Sequence, residues 1–583
     1  MKPDILLLAA ALAGSALSSK EPADSFDWDA LAPSPDLEYH DCYAAYRCAR
    51  LVLPLDWANA SDPRTLSLAV IKLPALVPPE DPRFAGSVFL NPGGPGGSGV
   101  DLLRASSRRL RRVIDKPGRR HYELVSFDPR GVANSRPRAD CFPGAALERD
   151  AFLLEARGTG ALDAGRHAVP YMLGLHHGYA RRCSAAEAAE HIFEYMSTPS
   201  VARDMVEMVD KIAELRYMGF SYGTVLGNYF AALFPERIGR LVLDGVVDAV
   251  DYATGAGWLS NIVDADEIVS RFYAGCHRAG PDVCALARSS DESGLDIRAR
   301  IDAWLAAIDE SPLTASISPA GSVVALTSRD IRELLGFAIY RPIEFFVPLA
   351  RALDAAMAGN ATQVVRLLDR RASVPHLHDA CAVDGHGNRS ELQTRDASLG
   401  VLCSDGDSVR DKDTPWWRRY VDAQLRKSSV MGAYWSAIRM PCAAWPFRTN
   451  WSFKGPFTTP EPRLGSAGRP VPGEPAAPIL FLSNRLDPVT PLRAARAMAA
   501  NHPGAGLVVQ EGLGHCALAT ADSDCLTRIV ADYFDSGAVP SEETTCHIDC
   551  GPWDDGCALS GYQDHLDAST IRRQSTLPLG VFP

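Results

Sequence analysis

Three side chains have neighbours suited to acyl-transfer chemistry. Ser221 is the centre of Gly219-Phe220-Ser221-Tyr222-Gly223, a G-x-S-x-G pattern. A short apolar run, Leu215 to Met218, enters it. A segment with Val225, Leu226, Tyr229, Phe230 and Leu233 at helical spacing leaves it, and Pro235 stops that segment. Strand, tight turn and helix make a nucleophile elbow, which holds a serine hydroxyl up at the end of a sheet. A bare match arises by chance in roughly one chain in four of this length, so its partners decide its meaning. A serine hydroxyl is a poor nucleophile until a base takes its proton. The partners are expected in the order serine, acid, histidine, after later strands. Asp487 lies in Asn484-Arg485-Leu486-Asp487-Pro488, after the apolar run Pro478 to Ser483. His515 lies in Glu511-Gly512-Leu513-Gly514-His515-Cys516, after Leu507 to Gln510. Alone, Asp487 would begin a turn before Pro488, and His515 would be one of 14 histidines. In that order and at strand ends, they read as acid and base.

Acyl transfer also needs donors for a developing oxyanion. One is the backbone N–H of the residue after the nucleophile, Tyr222. The other is expected in the loop after an early strand. The run Gly93-Gly94-Pro95-Gly96-Gly97 follows the short strand Ser87 to Leu90 and suits a close backbone approach. It lacks the Lys-Ser/Thr of a phosphate loop and is not the G-x-G-x-x-G of a dinucleotide site. His376, His378 and His386 fall in a segment with a cysteine and a glycosylation sequon, and read as a disulfide-tied surface loop. The chemistry requires no metal or organic cofactor.

The elements that must position these groups alternate. Leu66 to Leu73, Ser87 to Leu90, Glu123 to Phe127, Leu215 to Met218 and Leu241 to Leu243 read as strands, with Cys42 to Asp56 placed ahead of the first. Val201, Met205, Val206, Val209 and Ile212 give one helical face behind Thr198 and Pro199. Strands alternating with helices predict an α/β fold with a mostly parallel sheet. From about 250 to 440 the pattern is mainly helical, with loops carrying Cys276/Cys284 and Cys381/Cys403, and alternation then resumes. The expected divisions are a signal peptide (1–18), an N-terminal core part (19–250), an inserted helical cap (251–440), a C-terminal core part (441–548) and a tail (549–583).

The leader has Lys2 before an apolar run, Ile5 to Leu17, and small residues near Ser18, as secretory signals do. The 14 cysteines include the close pairs Cys42/Cys48, Cys276/Cys284, Cys516/Cys525 and Cys550/Cys557, which read as disulfides of an exported chain. Asn59, Asn360, Asn388 and Asn450 begin glycosylation sequons. A net charge of −12 gives no reason to expect nucleic acid or an anionic membrane as partner. The basic stripe from Arg108 to Arg120 reads as a solvated helix and loop. No other apolar stretch has spanning length, so a soluble extracellular protein is expected once the leader is removed. The oligomeric state is left open.

The set NPGGPGGSG, FDPRGVANS, GFSYGT, LVLDGVVD, NRLDPVTP and GLGHC resembles the secreted tripeptidyl-aminopeptidase branch of the α/β-hydrolases, relatives of the proline iminopeptidases. The resemblance runs from about Cys42 to about Cys546. It implies the α/β-hydrolase fold, Ser221 as nucleophile, Asp487 as acid, His515 as base, and Gly94 beside Tyr222 in the oxyanion hole. It also implies a helical cap between Val247 and the Cys442 region. Pro92, where the iminopeptidases carry a histidine, fits the tripeptidyl branch. The implied activity is release of short N-terminal peptides. The alternative is hydrolysis of carboxylic esters, which the same triad serves. Carboxylates facing the serine would favour a free-amine peptide, and an apolar pocket would favour an ester.

Overall fold

A computed structural model describes residues 26–186, 192–212, 215–316, 323–369, 390–465 and 471–557. The expected leader, His376, His378, His386, Cys381, Asn388 and the tail beyond 557 lie outside the described residues.

A ten-stranded sheet forms the centre of the fold. Its strands are β1 (His40–Cys42), β2 (Tyr46–Pro54), β3 (Thr65–Leu73), β4 (Phe84–Asn91), β5 (His121–Phe127), β6 (Leu215–Phe220) and β7 (Ile238–Asp244). After a small separate hairpin of β8 (Leu313–Ser316) and β9 (Val323–Leu326) come β10 (Leu480–Leu486), β11 (Gly506–Leu513) and β12 (Thr544–His547). The spatial order is β1-β2-β3-β5-β4-β6-β7-β10-β11-β12. The first three strands run antiparallel, and from β5 onward every neighbouring pair is parallel. The stretch Cys42 to Asp56, expected to precede the sheet, instead supplies most of its first antiparallel hairpin. Cys42–Cys48 closes that hairpin. Its alternation is masked because β2 buries residues on both faces.

The central strands read as continuous apolar runs because helices cover both faces. In β4, Val88 and Leu90 face one core while Phe89 faces the other, and in β10 Leu480 and Leu482 oppose Phe481 in the same way. One face is covered by the Gly99–Ile114 and Asp524–Ser536 helices, which lie against each other. The other is covered by the Thr198–Ile212, Tyr222–Leu233 and Leu492–Asn501 helices. A third apolar cluster belongs to the helical segment between β7 and β10, with Phe272, Ile301, Leu335, Phe346 and Leu353 at its centre.

The register places the chemistry. Asn91 of β4 pairs with Gly219 of β6, Phe220 of β6 with Asp244 of β7, and Leu482 of β10 with Asp244. The carboxyl ends of these four strands therefore lie side by side, and the loops that leave them meet at one edge.

Among the described residues six disulfides are formed, including three of the four expected close pairs. The fourth is corrected. Cys525 bonds Cys546, tying the Asp524–Ser536 helix to β12, and Cys516 is a buried free thiol. Cys516 directly follows His515, and its sulfur contacts the Asp244 carbonyl at the sheet edge. Cys403 is bonded to Cys442, not to a cysteine in its own loop. Part of the basic stripe is also not solvated. Arg109 Nε donates to the Leu518 carbonyl at 2.9 Å and its guanidinium donates to that of Ala521, pinning the segment after His515.

Candidate active site

Ser221 stands between β6 and the Tyr222–Leu233 helix with φ 56° and ψ −123°, a left-handed conformation that a serine adopts only under constraint. The constraint is visible. The Ser221 N–H donates to the Asp244 carbonyl at 3.0 Å, and the Thr224 N–H donates back to the Ser221 carbonyl at 2.8 Å. Both flanking glycines are sterically required. A Cβ on Gly219 would lie 2.4 Å from the Gly223 carbonyl oxygen, and one on Gly223 would lie 2.9 Å from that of Asn91. The pattern is thus a true elbow in which helix and strand touch backbone to backbone.

Asp487 is fully buried in the loop after β10, and His515 is 2% exposed in the loop after β11. His515 Nδ1 lies 3.1 Å from each Asp487 carboxylate oxygen. Asp487 also accepts from the N–H groups of Val489 (3.0 Å), Thr490 (2.8 Å) and Cys516 (2.9 Å). Burial pushes its carboxyl up, but His515 and these donors outweigh burial and hold it below the usual aspartate range. The backbone N–H of His515 donates to the Tyr340 carbonyl at 2.9 Å, with the Tyr340 ring edge-on to the imidazole. Only glycine fits at 514, where φ is 108° and a Cβ would lie 2.6 Å from Pro342.

The glycine loop after β4 reaches the elbow. Gly93 donates to the Asn91 side chain at 2.9 Å, and a Cβ on Gly93 would lie 2.9 Å from the Tyr222 nitrogen. Tyr222 is the first residue of its helix, where an N–H has no acceptor within the helix. Gly94, Ser221, Tyr222 and His515 all line one pocket. The rest of its wall is Pro95, Val225, Val247, Tyr252, Trp258, Asn261, Tyr340, Leu402, Trp435, Ile438, Val489 and Thr490, with no Asp, Glu, Lys or Arg among them. Among the described residues no group of three or more His, Cys, Asp or Glu side chains is arranged to hold a metal ion.

Several supports carry no motif of their own. Asp244, at the end of β7, accepts from the Ala517 N–H at 2.7 Å and the Leu518 N–H at 2.9 Å, while its carbonyl holds Ser221. One residue thus joins the serine turn to the histidine loop. Burial pushes its carboxyl up to about 7, against the pull of those two N–H groups. Asn484 donates to the Gly514 carbonyl at 2.7 Å and to Thr520 at 2.8 Å, fixing the far side of the same loop. Asp405, from the helical segment, accepts from the Thr198 N–H at 2.9 Å and the Tyr252 hydroxyl at 2.8 Å, and Thr198 in turn bonds the Tyr222 hydroxyl. Burial raises the Asp405 carboxyl to about 6. Ser398 donates to the Pro95 carbonyl at 2.5 Å, tying the helical segment to the glycine loop. The only signal for Asp244 was its place in LVLDG, a strand end beside the elbow.

Comparison with known proteins agrees with this geometry. Residues 86–279 match the family described as alpha/beta hydrolase fold, and residues 428–546 match the TAP-like protein family. The chain has the α/β-hydrolase fold and carries a TAP-like segment. It is similar to the serine protease Hip1 of Mycobacterium tuberculosis, 26% identical over 519 residues, which cover 86% of this chain and 87% of that one. It is 25% identical over 545 residues to the tripeptidyl aminopeptidase of Streptomyces coelicolor, with 89% and 87% covered. It is also 27% identical over 506 residues to carboxylesterase B of Mycobacterium tuberculosis, with 86% of each chain covered. Fold and relatives together make this α/β-hydrolase a serine hydrolase.

Proposed function

We propose that this serine hydrolase is secreted and releases short peptides from free N-termini through an acyl-enzyme on Ser221. The observation that carries the chemistry is the Asp487–His515 pair, whose His515 lines one pocket with Ser221 and Gly94. His515 takes the Ser221 proton as the oxygen attacks the scissile carbonyl. Asp487 holds the imidazole in orientation and stabilises its charged form. The Tyr222 and Gly94 N–H groups receive the oxyanion, and loss of one such donor costs about 3 kcal/mol of transition-state stabilisation. His515 then gives the proton to the leaving amine, and water, activated the same way, releases the peptide acid.

The relatives named tripeptidyl aminopeptidase and serine protease support peptides. The pocket bears on their length. Its wall offers an uncharged, apolar place for the residue beside the scissile bond. An ammonium on that same residue would meet no carboxylate there. An ammonium three residues away lies about 10 Å from the bond and outside this wall. The helical segment between β7 and β10 acts as the cap that shapes this pocket, since Tyr252, Trp258, Tyr340, Leu402, Trp435 and Ile438 come from it.

A second reading, carboxylic ester hydrolysis, is favoured by the same apolar wall and by the similarity to carboxylesterase B. The test compares free-amine tripeptidyl amides, N-blocked amides and simple esters. Cleavage confined to free-amine peptides is the expected result, and turnover of esters alone would overturn the peptide reading. Export is supported by six disulfides among the described residues and by the exposed sequon residues Asn59 and Asn360.

A further inference from the structure

Six non-glycine residues among those described have positive φ: Tyr43, Ala44, Ala133, Ser221, Trp258 and Cys516. Three of these are at the site. Ser221 and Trp258 line the pocket, and Cys516 follows His515. The strain at Ser221 is explained by the elbow. Trp258 is the bulkiest of the six, and a left-handed backbone is least suited to such a side chain. Glycine would occupy φ 64° without cost, so the indole must be what the position is built around.

The surroundings hold that backbone from both sides. The Trp258 N–H donates to the Asp251 carbonyl at 3.2 Å. The Asp251 carboxylate accepts from the Leu259 N–H at 3.1 Å and the Ser260 N–H at 2.7 Å, gripping the two residues that follow. The Trp258 carbonyl accepts from Gln424 at 2.8 Å, and the Gly257 carbonyl from the Tyr420 hydroxyl at 3.1 Å. The indole stacks near Tyr252, 6.2 Å between centroids at 18°, and packs on Trp435 at 5.6 Å. Tyr252 and Trp435 are themselves pocket residues, so Trp258 is the middle of an aromatic wall whose position is fixed by hydrogen bonds to its backbone.

The room this wall leaves beside Ser221 is small, about 70 Å³, and opens to solvent on one side. A cavity of about 150 Å³ is what takes up a benzene ring. We propose that Trp258 is the specificity-determining residue of the acyl pocket, and that it restricts the side group next to the scissile carbonyl to a small aliphatic one, excluding aromatic ones. The inference rests on the acyl-enzyme reading of Ser221 and adds the substrate class of its pocket. It holds for peptides and for esters, since both place an acyl group in the same space.

The experiment measures kcat/KM for 4-nitrophenyl acetate, butyrate, hexanoate and 3-phenylpropionate with wild type, Trp258→Gly and Trp258→Phe. Active sites are counted by fluorophosphonate labelling. Glycine suits the backbone at 258, so this variant removes the indole without adding strain, and phenylalanine is the milder second variant. Wild type is expected to favour butyrate over 3-phenylpropionate by at least about tenfold. In Trp258→Gly that ratio is expected to fall at least about tenfold or invert, with a smaller shift the same way in Trp258→Phe. A merely structural role would lower all four esters alike and leave the ratios where they were. Unchanged ratios, or a wild type that prefers the phenyl ester, would overturn the inference. Full ester turnover by Ser221→Ala would instead overturn the acyl-enzyme reading on which it rests.

Discussion

Asp244 shows how one side chain can serve a site without touching the substrate. Its carbonyl holds the Ser221 N–H, and its carboxylate caps the N–H groups of Ala517 and Leu518, so the Ser221 turn and the His515 loop share one anchor. The folded chain raises this carboxyl from 3.8 to about 7, burial being the main cause. Between those values the folded state holds a proton that the unfolded chain has released. The stabilisation from that proton is complete below 3.8 and is lost as pH rises through 7. Asp244→Asn cannot titrate. The melting temperature of wild type relative to this variant should therefore rise on going from pH 8 to pH 5, and an unchanged difference would contradict the assigned role. The placement of Ser221, Asp487 and His515 at neighbouring strand ends was legible in the sequence because each sits in a short local pattern after a strand. Asp244 was not, because its carboxylate partners lie more than 270 residues away and no spacing rule connects them.

The elbow is the element on which the site depends, and its geometry is enforced by contact. Gly219 leaves room for the Gly223 carbonyl, which also accepts from the Tyr217 hydroxyl at 2.8 Å. A methyl group at 219 would press on backbone that cannot rotate away. Gly219→Ala is therefore expected to lose about 2 kcal/mol or more of stability in urea unfolding and to lose activity with it. An effect below about 0.5 kcal/mol would mean that the turn relaxes and that the close approach is not required. The strands of the parallel half were readable as apolar runs, since helices on both faces leave no polar side to mark them. The hairpin of β1 and β2 was not readable. Tyr43 and Ala44, both at positive φ, form its turn without the Asn-Gly or Gly signal that marks such turns. The close spacing of Cys516 and Cys525 was misleading for a related reason. Sequence proximity does not show that Cys516 is drawn under the sheet edge by the loop that presents His515.

At the scale of the whole molecule, the strand ends of the sheet carry Ser221, Asp487 and His515, and the helical segment supplies most of the pocket wall. The segment is tied down at several points. Cys403–Cys442 joins two of its parts, and Ser398 and Asp405 reach the glycine loop and the Tyr222 hydroxyl network. Trp553, from the loop closed by Cys550–Cys557, packs on Phe272 and Phe346 within the segment's own cluster. The end of the described chain therefore returns to brace the helices. Sequence periodicity could place a mainly helical stretch there, but not its pocket residues. Trp258, Tyr340, Leu402 and Trp435 are far apart in the chain and meet only through packing. The end of the pocket that carries Ser221 and His515 was legible and its apolar wall was not, since a polar motif needs fixed residue types and an apolar wall does not. The most direct test of the account is covalent labelling of the intact protein with a fluorophosphonate, followed by peptide mapping and assay of the same samples. The account predicts a single adduct on Ser221 and activity lost in proportion to it. Full activity in protein labelled at Ser221, or inactivation with the adduct on another residue, would contradict it.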